Sequence, residues 1–405
     1  MAKDRVTLSD VLRKMGIEDG EDFLREGVQA LVKSLMEVEV SSLTGAGYGE
    51  RSEERQNRRN GYRPRAWDTR VGTLEVQIPK LRQGTYFPSF LEPRRRAEKA
   101  LIAVVQEAYV QGVSTRKVED LVQALGITGI SASEVSRVCQ ELDGAVEAFR
   151  NRSIDGKYPY VWLDATYLKG RVDHRVVSQA LVVAVGVNCQ GEREVLGFDV
   201  GLSEDAAFWL EFLRSLKSRG LGGVRLVISD AHEGLRQAIQ TVFVGSSWQR
   251  CRVHFMRNLL SHVPKAAGSM VAATARTIFM QATPEQAKAQ LHQVVEMLRD
   301  RWPKAADVLE AAEEDILAYL AFPQSHWRQI YSTNPLERLN KEIKRRSDVV
   351  GIFPTRQSIL RLVGAVLMEQ NDDWITSRRY FSQESMSLIA GENLAQAPLA
   401  LEAAD

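Results

Sequence analysis

Three carboxylates and one cysteine–histidine pair carry most of the chemistry this sequence offers. Asp164 follows the apolar run YPYVWL, Asp230 follows VRLVIS, and Glu337 lies in STNPLERLNKEIKRRSDVVGIFP. Each acid alone is weak evidence, because an Asp after an apolar run is commonly a turn or cap residue. Three carboxylates brought together repel one another unless cations neutralise them. Mg²⁺ or Mn²⁺ are hard ions that prefer oxygen ligands. Two such ions, about 3.5–4 Å apart, can activate a water or a 3′-hydroxyl and stabilise the leaving oxygen at a phosphodiester. The expectation is a metal-dependent phosphoryl-transfer centre with two ions per site.

Glu337 has a competing reading. Asn334 is a good N-cap and Pro335 suits a first helical position, which makes Glu337 the N3 glutamate of a capping arrangement, paired with Lys341. Leu336, Leu339 and Ile343 form an apolar stripe, while Glu337, Asn340, Lys341 and Lys344 share another face. Lys344, Arg345 and Arg346 add a basic cluster, and Gly351 to Pro354 breaks the helix. On the second reading the acid holds a metal and the cations hold a polyanion such as DNA. Cys251 and His254, in CRVHFMRN, have half the spacing of a zinc site, and no second close pair follows. They are expected to pack or hydrogen-bond at the start of a helical block. His254, with Arg252 nearby, is also a candidate DNA contact.

These residues need a scaffold. From residue 158 the texture is that of strands: YPYVWLDATYLKGR with a turn near Lys169–Gly170, then VVSQALVVAVGV and REVLGFDVGLS, with links short enough for an antiparallel meander. A helix over Glu204–Arg219, a buried strand ending at Asp230, a helix over Glu233–Thr241 and a short fifth strand complete the order βββαβαβ, as in a ribonuclease-H-like domain. With that order strands one and four are parallel neighbours, and their carboxyl ends meet where open α/β sheets place ligands. Residues 255–325 read as helical, an insertion before the helix of Glu337.

Upstream, residues 1–45 read as helical, and GAGYGERSEERQNRRNGYRPRAW reads as a flexible or extended arm. Its Arg58, Arg59, Arg63 and Arg65, interleaved with Tyr62 and Trp67, suit phosphate contacts. RVGTLEVQIPK alternates as a short strand does. In residues 94–148 Ser114 starts a helix, Gly126 ends it, Ser131 or Ser133 caps a second, and Val118, Leu121, Val122, Leu125, Val135 and Val138 point inward. That is a helix-turn-helix pattern, with Ser133 and Arg137 on its exposed front.

The net charge is +1, but Arg51 to Arg96 holds twelve Lys/Arg against five Asp/Glu, and no Lys or Arg follows Arg379. Basic segments in a near-neutral chain suggest local polyanion contacts. No apolar run approaches the roughly 18 residues of a membrane span. The N-terminus lacks a signal-peptide core, and the widely spaced Cys139, Cys189 and Cys251 suit a reducing cytosol.

The chain resembles the mutator family of bacterial insertion-sequence transposases. NGYRPR at 60, IPKLRQGTYFP at 78, GVSTRKVEDL at 112, VWLDATYLKGR at 161, LVISDAHEGL at 226, WQRCRVHFMRNLL at 248 and the long stretch at 332 carry the resemblance. It implies an α/β fold with a ribonuclease-H-like core (βββαβαβ-α), an all-α insertion and an N-terminal helical DNA-binding region. Asp164, Asp230 and Glu337 would be the catalytic metal ligands, with Mg²⁺ or Mn²⁺ as cofactor, and Cys251 and His254 would match the family's Cys-x-x-His signature. Lys169, Arg338, Lys341, Lys344 and Arg345 would contact DNA backbone. The partners would be terminal inverted repeats, target DNA and a second copy of the chain, in a bacterial cytoplasm beside the nucleoid. The expected segments are 1–50 helical, 51–93 arm and β element, 94–150 helix-turn-helix, 151–254 core, 255–328 insertion, 329–380 core with the Glu helix, and 381–405 mobile tail. A ribonuclease-H-like nuclease or resolvase without strand transfer, and a non-catalytic DNA-binding regulator, are the alternatives.

Overall fold

The computed structural model describes residues 23–69, 71–91, 99–124, 127 and 131–391. The first 22 residues, Gly126 as a helix stop, Leu125 as an inward residue and the tail past 391 lie outside them. The chain forms two compact units, Met1–Glu141 and Leu142–Asp405.

In the first unit, helix α1 (Phe23–Thr44) buries Val32, Met36 and Val40, spaced at one helical turn. They pack on Leu74, Val76 and Ile78, which alternate along strand β2 (Gly72–Leu81). Strand β1 (Arg59–Thr69) pairs antiparallel with β2. Of the stretch expected to be a flexible or extended arm, residues 59–67 are therefore an extended β-strand. Its composition hides this, because most of its side chains face water and its stability comes from the ladder with β2. Helices α2 (Lys99–Val110), α3 (Thr115–Ala124) and α4 (Ala132–Cys139) follow. Ser131 caps α4 by accepting the Glu134 N–H at 3.3 Å, and Val118, Val122, Val135 and Val138 are buried as expected. Leu121, expected inward, is 46% exposed.

The second unit begins with helix α5 (Leu142–Asn151), which the sequence grouped with the helix-turn-helix segment. Strands β3 (Tyr160–Val172), β4 (Arg175–Val187) and β5 (Arg193–Gly201) form the antiparallel meander. Strands β6 (Leu226–Ser229) and β7 (Ser247–Arg250) add parallel to β3, giving the order β5-β4-β3-β6-β7. The first hairpin turns at Asp173 (φ 47°) and His174 (φ 66°), not near Lys169–Gly170. Two successive left-handed residues make the two-residue turn that matches strand twist. Gly170 instead lies buried in β3, where an added Cβ would stand 2.3 Å from Gln179 Nε2.

Helices α6 (Ala206–Ser218) and α7 (Glu233–Val242) cover one sheet face, closing a core of Val161, Leu163, Trp209, Leu213, Leu235 and Ile239. After β7 comes the helical block: α8 (Arg252–Ser261), α9 (Lys265–Arg276), α10 (Pro284–Arg299), α11 (Pro303–Ala311), α12 (Glu313–Leu317) and α13 (Trp327–Ile330). Helices α14 (Asn334–Ser347) and α15 (Arg356–Thr376) then return to the sheet, against β3 and β5. The segment expected to be a mobile tail is partly ordered: α16 (Gln383–Gly391) follows Phe381, and Phe381, Met386 and Ile389 are buried. Among the described residues no helix is long and apolar enough to cross a membrane.

Arg361 of α15, 6% exposed, grips Asp143 of α5 with two bonds of 2.7 and 2.8 Å. Removing one partner of such a pair leaves the other's charge poorly solvated. Arg361→Met should destabilise the protein by about 2–3 kcal/mol, read as a lower urea midpoint by circular dichroism; an unchanged midpoint would show that the pair contributes nothing.

Candidate active site

Strand β3 is longer than its parallel neighbour. It pairs with β6 only through Tyr160, Val161 and Trp162, then runs on beside β4 to Val172. Asp164 therefore lies inside its strand, two residues beyond the last parallel pair. Asp230 follows Ser229, the last residue of β6. Both aspartates thus lie where the parallel pairing stops, and Asp164 shares a face with Trp162, whose indole N–H donates to Ser332 O at 3.1 Å.

Helix α14 starts one residue earlier than expected. Thr333 is its N-cap, Asn334 its first residue, and Glu337 its fourth. The Thr333 side chain does not cap the helix, because its hydroxyl and its backbone N–H both donate to Cys251 Sγ at 3.3 Å. The Cys251 N–H in turn donates to Ser229 O at 2.7 Å. One buried cysteine, through its sulfur on one side and its backbone N–H on the other, therefore ties the strand end before Asp230 to the helix start before Glu337. At the next turn Asn340 Nδ2 donates to Asp164 Oδ2 at 2.8 Å and ties the same helix to β3.

The electrostatics are those of a crowded acidic site. Burial pushes the Asp164 carboxyl up to about 6. The His254 charge and the Ala165 N–H oppose that rise, and Asp230 and Glu204 add to it. His254 is raised to about 9, first by its hydrogen bond with Cys251, against the opposing effect of burial, and then by the charges of Cys251, Asp230 and Asp164. Burial pushes the Cys251 thiol up, but hydrogen bonds from His254 and Thr333 outweigh it and hold the thiol below its ordinary value. The histidine is a countercharge to the aspartates.

Glu204 is a fourth carboxylate that the sequence reading did not single out. It accepts the Tyr167 hydroxyl at 3.2 Å and the Trp209 indole N–H at 3.3 Å. Only its place between β5 and α6 could have marked it. Glu337 is not gathered with the aspartates: it is half-buried and meets Arg257 of α8 at 3.7 Å, rather than Lys341. Among the described residues no group of three or more His, Cys, Asp or Glu side chains stands close enough to hold a metal ion. Arg257 is 66% exposed, and an ion pair of that kind contributes about 1 kcal/mol or less. It is a weak restraint on Glu337.

The basic residues divide into outward and inward. Arg58, Arg63, Ser133, Lys169, Arg338, Lys341 and Lys344 are exposed. Arg65 is half-buried over the Phe87 ring at 5.2 Å. Arg137 pairs with Glu134, and Arg345 with Glu342 at 2.7 Å. Arg59 turns inward to Glu37 at 3.1 Å, and Arg252 stacks on Tyr331 at 3.6 Å, both fastening neighbouring elements. Arg346 is held between Glu342 and Glu369.

A family model described as "Transposase, Mutator family" matches residues 1–377. The chain belongs to that family. It is 50% identical over 368 residues to a transposase for insertion sequence element IS1081 of Mycobacterium tuberculosis, covering 90% of this chain and 89% of that one. It is 39% identical to the transposase for ISRM5 of Rhizobium meliloti, with 90% and 92% covered, and 39% identical to that for IS256 in transposon Tn4001 of Staphylococcus aureus, with 89% and 94% covered. Its function is that of an insertion-sequence transposase. A chain of a simian T-cell lymphotropic virus intasome structure aligns at 12% identity with a TM-score of 0.17, too low to bear on the fold.

The raised Asp164 carboxyl has a sign. A carboxyl at about 6 in the fold, against 3.8 ordinarily, contributes stability below pH 3.8 that is lost as pH rises through 6. Asp164→Asn should therefore stabilise the metal-free protein above pH 6, by about 1–3 kcal/mol, and the gain should vanish toward pH 4. Melting curves in EDTA across that range test this; a lower melting temperature at pH 7.5 would contradict it.

Proposed function

We propose that this transposase cuts a DNA strand at the end of its element and joins the freed 3′-hydroxyl to a target, both at one centre built from Asp164, Asp230 and Glu337. One observation carries the reading: the two aspartates stand where β3 and β6 part, and the helix of Glu337 is tied to both strands, through Asn340 to Asp164 and through Thr333 and Cys251 to Ser229. The order of three antiparallel and two parallel strands, with helices on both faces, supports a ribonuclease-H-like core.

The donor set fits a hard divalent cation. The acids offer only oxygen, Asp164 is destabilised by burial, and Asn340 Oδ1 is a buried oxygen with no hydrogen-bond partner among the described residues. Mg²⁺ or Mn²⁺, when bound, would supply charge for the attacking and leaving oxygens. Asp164 and Asp230 would hold the ions, and Glu337 would complete the set on leaving Arg257. His254 balances the aspartates until then. Lys341 and Lys344, one and two turns beyond Glu337, would grip phosphates beside the scissile bond, with Arg338. In the first step water attacks phosphorus and a 3′-hydroxyl leaves. In the second that hydroxyl attacks a target phosphodiester and expels a new one. Arg58, Arg63 and Ser133 would contact terminal inverted repeats, and cutting two ends in concert calls for two copies of the chain, in a bacterial cytoplasm.

Glu337→Gln and Asp230→Asn should bind end DNA within about twofold of the parent and cut it at least about a thousandfold more slowly. Labelled element ends in Mg²⁺ read both. Pre-cut ends with a free 3′-hydroxyl should be joined by the parent. Failure to join them would turn the reading to a nuclease, and full cleavage by Glu337→Gln would remove the acid from the mechanism.

A further inference from the structure

Asn340 lies three residues after Glu337, so both side chains project from one face of α14. It is 9% exposed. Its Nδ2 donates to Asp164 Oδ2 at 2.8 Å. An ionised carboxylate only accepts, so this bond fixes the amide with nitrogen toward Asp164 and oxygen away from it. That oxygen is buried, and among the described residues no donor reaches it. Buried polar atoms are nearly always satisfied, and an exception calls for an explanation. Packing supplies none, because Leu336, Leu339 and Ile343, all buried, already seat the helix on the sheet.

We infer that Asn340 is a positioning residue for the cation at Asp164: its nitrogen holds the carboxylate in one orientation, and its oxygen accepts a hydrogen bond from a water in the cation's hydration shell. The inference rests on the reading of Asp164 as a metal ligand. Mg²⁺ and Mn²⁺ on few carboxylates keep several waters, whose outward hydrogens are strong donors. A neutral amide satisfies both sides at once. A lysine here would compete with the ion, and a further carboxylate would add repulsion to an acid that already feels Asp230 and Glu204. Partners of this kind, which touch a ligand rather than the metal, change metal affinity by about 10–100-fold when removed.

Asn340→Leu keeps the shape of the side chain and removes both its donor and its acceptor, and Asn340→Ala serves as a second variant should the first misfold. Mn²⁺ is titrated into the full-length protein bound to element-end DNA, and the free-ion EPR signal is followed with DNA alone subtracted. The Mn²⁺ dissociation constant should rise about 10–100-fold. The Mn²⁺ concentration for half-maximal cleavage should rise with it, while end-DNA affinity stays at the parent's. Parent-like Mn²⁺ affinity in both folded variants would overturn the inference and leave Asn340 as packing. Asp164→Asn in the same titration keeps the two claims apart: if it too binds Mn²⁺ as the parent does, the metal reading of Asp164 fails rather than the role of Asn340.

Discussion

A carboxylate buried at the edge of a sheet is stable only with a proton, a cation or strong donors around it. Asp164 has two donors, the Ala165 N–H and the Asn340 amide, and its carboxyl is still raised to about 6. Above that pH the fold carries a strained charge at the point where β3 and β6 separate. The meander gives β3 its length, α14 brings an amide rather than a cation to its side chain, and α8 brings the His254 charge near without an ion pair. That cost falls on the same carboxylate that we propose holds a cation, so instability and the proposed function would have one origin.

Cys251 gives the cysteine–histidine signature a mechanical meaning. Its thiol receives two bonds from Thr333, its backbone holds Ser229, and its partner His254 faces the aspartates. A sulfur acceptor can take several weak bonds in a dry pocket, which suits a joint between a strand end and a helix start. Metal binding by this pair is unnecessary to explain it. The helical block between β7 and α14 leaves and returns at this joint, so the insertion can be long without disturbing the geometry between Asp230 and Glu337.

Much of this was legible in the residues. The strand order and the parallel pairing of β3 with β6 follow from apolar runs, their spacing and short links; the three acids were picked out as candidates, and the two aspartates lie where that parallel pairing stops while Glu337 meets Arg257. What was not legible depends on contacts distant in sequence. Asp164 lies inside a strand because β4 pairs far beyond β6. The Arg-rich stretch was legible as flexible or extended, but that it is a paired strand from Arg59 on depends on the ladder that β2 supplies. Arg59 and Arg252 look like phosphate ligands by type, yet the acid and the ring they meet lie 22 and 79 residues away. Residues past 381 look like a polar tail until Phe381 is seen stacking near Tyr160 and His326. Asn340 was on the right face by period, but its bond to Asp164 spans 176 residues.

The central claim is that Asp164 and Asp230 share a cation and that Glu337 leaves Arg257 to join them. Crystals of the protein on end DNA, soaked in Mn²⁺ and measured above the manganese absorption edge, test it most directly. The account predicts an anomalous peak between the two aspartates, with the Glu337 carboxylate turned toward it. A peak held by other residues, or none at a saturating concentration with Glu337 still on Arg257, would contradict it.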